Sequence, residues 1–218
     1  LKTSEEAATY DVNIKKTVDL KGVLGGEDSP LLPSLLNDLS QAIRVELAVA
    51  FILETGLSKF EPHLLDVLER GGSVRILSCD YMYVTEPRAL LRFLDLHTAF
   101  INTEEISQSS GQFECRVFET DHKLGFHPKA YLIGRKEGED VAYMGSSNLT
   151  RSALERGVEW NYRLTKSNEH EAVKKIEQEF EKLFGHQRAV PLSESWVEDY
   201  RNRRRVTKQK LEPIEIDT

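Results

Sequence analysis

GFHPKAYLIG at residues 125–134 and DVAYMGSSNLT at 140–150 are two apolar runs, with polar groups near the start of the first and at the end of the second. Side chains alternate along a strand, so His127 and Lys129 share a face. Sixteen residues after Lys129, Gly145-Ser146-Ser147-Asn148 leaves the strand VAYMG for an expected helix, LTRSALERG (149–157). Ser146 and Asn148 then lie at a strand end, a common place for reacting groups. The set comprises a nucleophile or base, a cation and two neutral hydrogen-bond donors. It suits a phosphodiester. Each member has a plainer reading. Asn148 fits a helix N-cap, His127 a satisfied strand histidine, and Lys129 an edge-strand lysine. The joint spacing between apolar strands favours the chemical reading.

HPK…GSSN resembles the HKD motif of the phospholipase D superfamily, H-x-K-x4-D-x6-G-S-x-N. His127, Lys129, Gly145, Ser146 and Asn148 stand at the matching positions. The Asp position of the motif falls on Gly134, and the gap to Gly145 is longer than in the pattern. Glu159, eleven residues after Asn148, sits where nucleases of this superfamily carry a carboxylate that holds the histidine. In GVEWNYRLT (157–165) it also fits a solvent-facing strand position. Asn161, on the same strand face, is a lesser candidate. The likeness is sharpest over 113–164 and looser over 31–184. The run GSSNLTRSAL is similar to phospholipase D-like nuclease domains found beside bacterial helicases and restriction enzymes.

The resemblance implies an α/β fold, a phospholipase D-like sandwich with a central mixed sheet flanked by helices on both faces. It implies a phosphodiesterase without metal or cofactor, acting on nucleic acid, with DNA favoured over RNA. His127 would attack phosphorus to give a phosphohistidine, while a second histidine protonates the leaving oxygen. Lys129, Ser146 and Asn148 would hold the phosphate oxygens, and Glu159 would bond the other ring nitrogen of His127. The chain carries one such motif and the chemistry uses two histidines. An isologous homodimer is therefore expected, with a second motif elsewhere in a longer chain as the alternative. A helicase domain after residue 218 is a further expectation. A lipid phosphodiesterase and a non-catalytic nucleic-acid-binding module are the competing functions. No Trp/Leu-rich amphipathic helix supports the lipid reading, and Gly134 in place of Asp sustains the non-catalytic one.

Composition bounds the rest. The chain has 218 residues, 39% hydrophobic and 30% charged, with a net charge of −7. That is one domain with tails, large enough for a core without disulfides. No apolar run reaches the roughly 18–20 residues of a membrane span. The opening LKTSEEAATYDVNIKK is polar where an export signal would be apolar, so a cytoplasmic location is expected. Cys79 and Cys115 lie in strand-like runs without metal-ligand spacing and read as reduced core residues. Charge is uneven. RNRRRVTKQK (201–210) holds six basic and no acidic residues, and without it 23 basic residues face 36 acidic ones, a net of −13. Residues 201–218 read as a basic tail or linker that lends affinity for phosphates, not chemistry.

Helical spacing marks 31–44, 57–72, 86–100, 168–184 and 193–205. Strand patterns mark 45–52, 73–81, 113–120, 126–135, 141–146 and 157–165. Residues 1–30 read as a lead-in with one short strand, and 31–200 as the phosphodiesterase domain. His122 lacks the motif spacing and reads as a loop histidine.

Overall fold

The largely apolar run VELAVAFI lies at the centre of the molecule, and its one charged residue, Glu46, is buried against Arg75. In the structure, a computed structural model that describes residues 22–25, 29–101, 111–121 and 123–211, its residues 45 and 47–50 are almost wholly buried. Four of them lie in the eight-residue β2 (Ala42–Val49). Around it run β1 (Gly22–Gly25), β3 (Ser73–Cys79), β4 (Gln112–Phe118), β5 (Lys129–Arg135), β6 (Val141–Gly145), β7 (Trp160–Thr165) and β8 (Ala189–Pro191). One eight-stranded sheet results, in the order β1-β7-β6-β5-β2-β3-β4-β8. Neighbouring β2, β3 and β4 are parallel, and every other pairing is antiparallel. The expected mixed sheet is therefore present.

Helices cover both faces. Helices α1 (Leu31–Leu39), α2 (Glu54–Glu69) and α3 (Pro87–Ile101) pack Leu35, Phe60 and Phe93 against Val45, Ile76 and Tyr131. Helix α5 (Glu194–Leu211) joins this layer through Val197 and Tyr200. On the other face, α4 (His170–Phe184) lays Val173, Phe180 and Phe184 over Leu77, Leu132 and Leu164.

Local differences from the sequence reading have physical causes. The helix expected over 31–44 stops at Leu39, and β2 starts at Ala42, where Ile43 and Val45 favour extended backbone. The helix expected over 149–157 is a single wide turn, Ser152–Arg156. β8 has three residues and pairs only with the end of β4, too short for a periodic signal. The boundary expected after residue 200 falls inside α5, which runs on to Leu211. His122 and residues 212–218 lie outside the described residues.

The binary pattern of β7 is inverted. Asn161 and Arg163 face inward and are buried, whereas Trp160 and Tyr162 face outward. Arg163 is inside because Asp38, fully buried on α1, accepts its Nε at 2.9 Å and its Nη2 at 3.0 Å. Tyr143 also donates its hydroxyl to Asp38. Asp38→Ala strands a buried guanidinium and is expected to destabilise the fold by about 3 kcal/mol or more. Urea unfolding would show this as a lower midpoint, and an unchanged midpoint would mean that water replaces the carboxylate.

Candidate active site

Three strands bring the motif together at one end of the sheet. β5 runs antiparallel to β2 with Lys129 opposite Val49, and the pairing continues one residue outward, where Ala50 N donates to Pro128 O at 3.1 Å. His127 therefore sits just beyond the strand, on backbone that Pro128 keeps extended. β6 ends beside it at Gly145. A side chain at Gly145 would put its Cβ 2.1 Å from Trp160 O, so only glycine lets β6 approach β7 closely enough to place Ser146.

His127 is exposed, and its ring meets the edges of two aromatic rings. Phe51 lies at a centroid distance of 5.5 Å and Tyr81 at 6.5 Å, both near perpendicular. Lys129 is 7% exposed and turns its ammonium onto the imidazole, 2.9 Å from Nδ1 and 3.2 Å from Nε2. It also donates to His127 O at 3.0 Å and lies 5.8 Å from the Phe51 ring centre. The expected shared face is thus realised. Partial burial, and then the Lys129 charge, hold the His127 pKa below the ordinary imidazole value. Burial likewise lowers Lys129, against the opposing pull of the Glu159 carboxylate. Cys79 is a buried thiol pushed up to about 12, chiefly by burial, so at neutral pH it is uncharged and adds no nucleophile.

Asn148 is no helix cap. Its Oδ1 accepts from Phe51 N at 3.0 Å, which ties the motif to the segment after β2. No hydrogen bond among the described residues takes its Nδ2, so the amide keeps a donor to offer. Ser146 and Glu159 differ from their expected roles. Glu159 accepts from Ser146 Oγ and makes no bond to His127 within the chain. Ser146 Oγ in turn accepts from Trp160 N at 3.0 Å, so the hydroxyl is already engaged on both sides. The charge of Glu159 instead faces Lys129. Asn161 is 3% exposed and donates to Ser147 Oγ at 2.8 Å, an internal brace for the turn that carries Asn148.

Gly134 also has a structural account. It lies five residues along β5 from Lys129, about 16 Å at strand rise, far from the candidate site. A Cβ there would stand 2.9 Å from Arg44 Nε, so glycine makes room for the guanidinium. Arg44 spans Asp140 and Glu177.

A profile of the family described as "Cardiolipin synthase, PLD-like domain" matches residues 40–184, which contain every motif residue. The chain belongs to the phospholipase D superfamily. Solved structures share the fold of this phospholipase D-like domain. NucT from Helicobacter pylori is 16% identical, with a TM-score of 0.53 over 74% of this chain and 90% of that one. Nuc from Salmonella typhimurium, a phospholipase D family member, is 14% identical, with a TM-score of 0.54 over 78% and 96%. Phosphatidylserine synthase from Haemophilus influenzae is 15% identical, with a TM-score of 0.52 over 86% and 45%. No curated protein matches the chain.

The phospholipase D-like site lies on an open surface. A cavity of about 600 Å³ lies at the opposite end of the sheet. Its arginines are already paired, Arg44 with Glu46 and Glu177 and Arg75 with Glu46 and Glu181, which leaves no charge for a ligand. Among the described residues no three His, Cys, Asp or Glu side chains converge as a metal would require, and no helix is long and apolar enough to cross a membrane. Sequence reasoning missed Phe51 and Tyr81. Each lies at the end of a strand-like run or one residue before it, where an aromatic residue reads as core.

Proposed function

We propose that this domain is a metal-independent phosphodiesterase acting on nucleic acid, DNA in the first instance, with His127 as nucleophile. The observation that carries the reading is the Lys129 ammonium held 2.9 Å from the imidazole of an exposed histidine. A cation there keeps the ring neutral and able to attack, and it waits where phosphate charge builds up. Attack of a His127 nitrogen on phosphorus forms a P–N bond and breaks the P–O bond to the leaving strand. A second histidine gives that oxygen its proton. It then takes a proton from water, which cleaves the P–N bond and frees His127 and a phosphate monoester. Lys129 and the free amide end of Asn148 hold the phosphate oxygens. Ser146 and Glu159 act together, Ser146 fixing the carboxylate that faces Lys129.

The second histidine comes from a second copy of the chain, giving an isologous homodimer. The open site supports this, and so does an uncovered apolar strip at its rim. Val158 is 89% exposed, Trp160 75% and Met144 55%. Val23, Tyr162 and Met144 line up across three paired strands. Exposed apolar rows of this kind mark interaction surfaces, and this one borders Ser146 and Glu159. The non-catalytic reading loses its ground, because Gly134 lies too far along β5 to matter to the chemistry. The run Gly145–Leu154 supports a setting in a helicase-linked or restriction-type protein.

The test is plasmid nicking in EDTA beside hydrolysis of a phosphatidyl lipid. Nicking is expected to persist under chelation, with no lipid turnover. Loss of nicking that metal restores would refute the mechanism, and lipid turnover without nicking would move the domain to lipid chemistry.

A further inference from the structure

We infer that helix α5 positions His127: Arg203 and Arg204 hold the turn Asp80–Thr85 closed, and that turn sets the aromatic ring against the imidazole. The inference rests on His127 being the reacting group. It departs from the expectation that the basic segment lends affinity alone.

The turn after β3 is unfavourable by itself. Met82 (φ 55°) and Tyr83 (φ 54°) are consecutive non-glycine residues in the left-handed region, where their Cβ atoms crowd the backbone. Such backbone persists only where its surroundings over-determine it. Here α5 does so at several points. Arg203 Nη1 donates to Asp80 Oδ2 at 2.9 Å, and Asp80 is 5% exposed. Arg204 Nε donates to Tyr83 O at 2.9 Å. Tyr200, fully buried, stacks on Tyr83 at 5.9 Å and donates its hydroxyl to Thr85 O at 2.8 Å. Arg203 is itself braced over the stacked Trp196 and Tyr200 rings, at 5.6 and 5.9 Å from their centres.

Two routes lead from the clamp to the imidazole. Tyr81, inside the turn, presents its ring to His127 at 6.5 Å. Thr85 Oγ1 donates to Ala50 O at 3.3 Å and accepts from Ile52 N at 3.4 Å. Between those two residues lies Phe51, which meets His127 at 5.5 Å and binds Asn148 through its backbone N–H. Both rings beside His127 are thus braced by α5, although α5 carries none of the reacting groups. Arg203 and Arg204 are positioning residues.

The test uses bis-p-nitrophenyl phosphate, a diester that lacks the extended charged backbone of DNA, together with NMR of the His127 ring in the full chain. Arg203→Ala with Arg204→Ala is expected to lower kcat on the small diester by about 10- to 100-fold, with KM changed by less than about twofold. The His127 ring signals should shift as the flanking rings loosen. Adding Met82→Gly, which adopts a left-handed φ freely, should bring kcat back to within about fivefold of wild type and return the signals. If the double variant does not fold, Arg203→Gln alone serves with the same readouts. Unchanged kcat with unmoved His127 signals would overturn the inference. So would weakened DNA binding with normal turnover of the small diester, which would leave α5 an affinity element. If wild type cleaves neither DNA nor the small diester, the function above fails. The NMR arm still decides whether α5 positions His127.

Discussion

His127→Ala is expected to lower diesterase turnover by about 10⁴-fold or more, the scale seen when a covalent nucleophile is removed. The fold should survive, because the ring is exposed and, among the described residues, meets its neighbours through ring edges and Lys129. A rate within tenfold of wild type, with the circular dichroism unchanged, would remove His127 from the chemistry. The pH profile gives a second reading of the same group. The reaction needs one neutral imidazole and one imidazolium, so its rate peaks where both forms are populated. Partial burial and Lys129 lower the His127 pKa. The crest of kcat/KM should therefore fall on the acid side of about 6.5, the ordinary histidine value. Acid loss should begin only below that value, as the nucleophile becomes protonated.

Charge placed on the apolar strip should separate the two copies and silence the site together. Trp160→Glu with Tyr162→Glu changes outward-facing side chains of β7 and leaves the buried Asn161 and Arg163 in place. Sedimentation should show a monomer. Activity should fall by about 10²- to 10⁴-fold, the usual contribution of a general acid–base partner. Raising the protein concentration should recover part of it, by mass action. Stacking of nucleic-acid bases on the same rings is the rival outcome. It would appear as weaker binding of single strands by an intact dimer. A structure of the assembly with the two His127 rings more than about 10 Å apart would refute a shared site, since one phosphate could not bridge them.

The sequence by itself determined the groups set by local geometry. His127 and Lys129 lie together because two residues on extended backbone share a face, and that needs no knowledge of the rest of the chain. The buried strand around Leu47, the strand end at Gly145 and the helix ending at Phe184 were legible for the same reason, through periodicity and stop residues. Only the tertiary structure decided what depends on distant partners. Arg163 is inside and Trp160 outside because Asp38, 125 residues away from Arg163, offers a buried carboxylate. Periodicity in WNYRLT carries no trace of that partner and points the other way. Glu159 lies beside Ser146 instead of His127 because β6 and β7 close on each other at Gly145. The basic run became a clamp because α5 crosses the turn after β3, where Asp80 needs a cation and Met82 and Tyr83 need restraint. A charge run has no address until the fold supplies its counter-charge, and pairing energy depends on a separation in space that residue order does not encode.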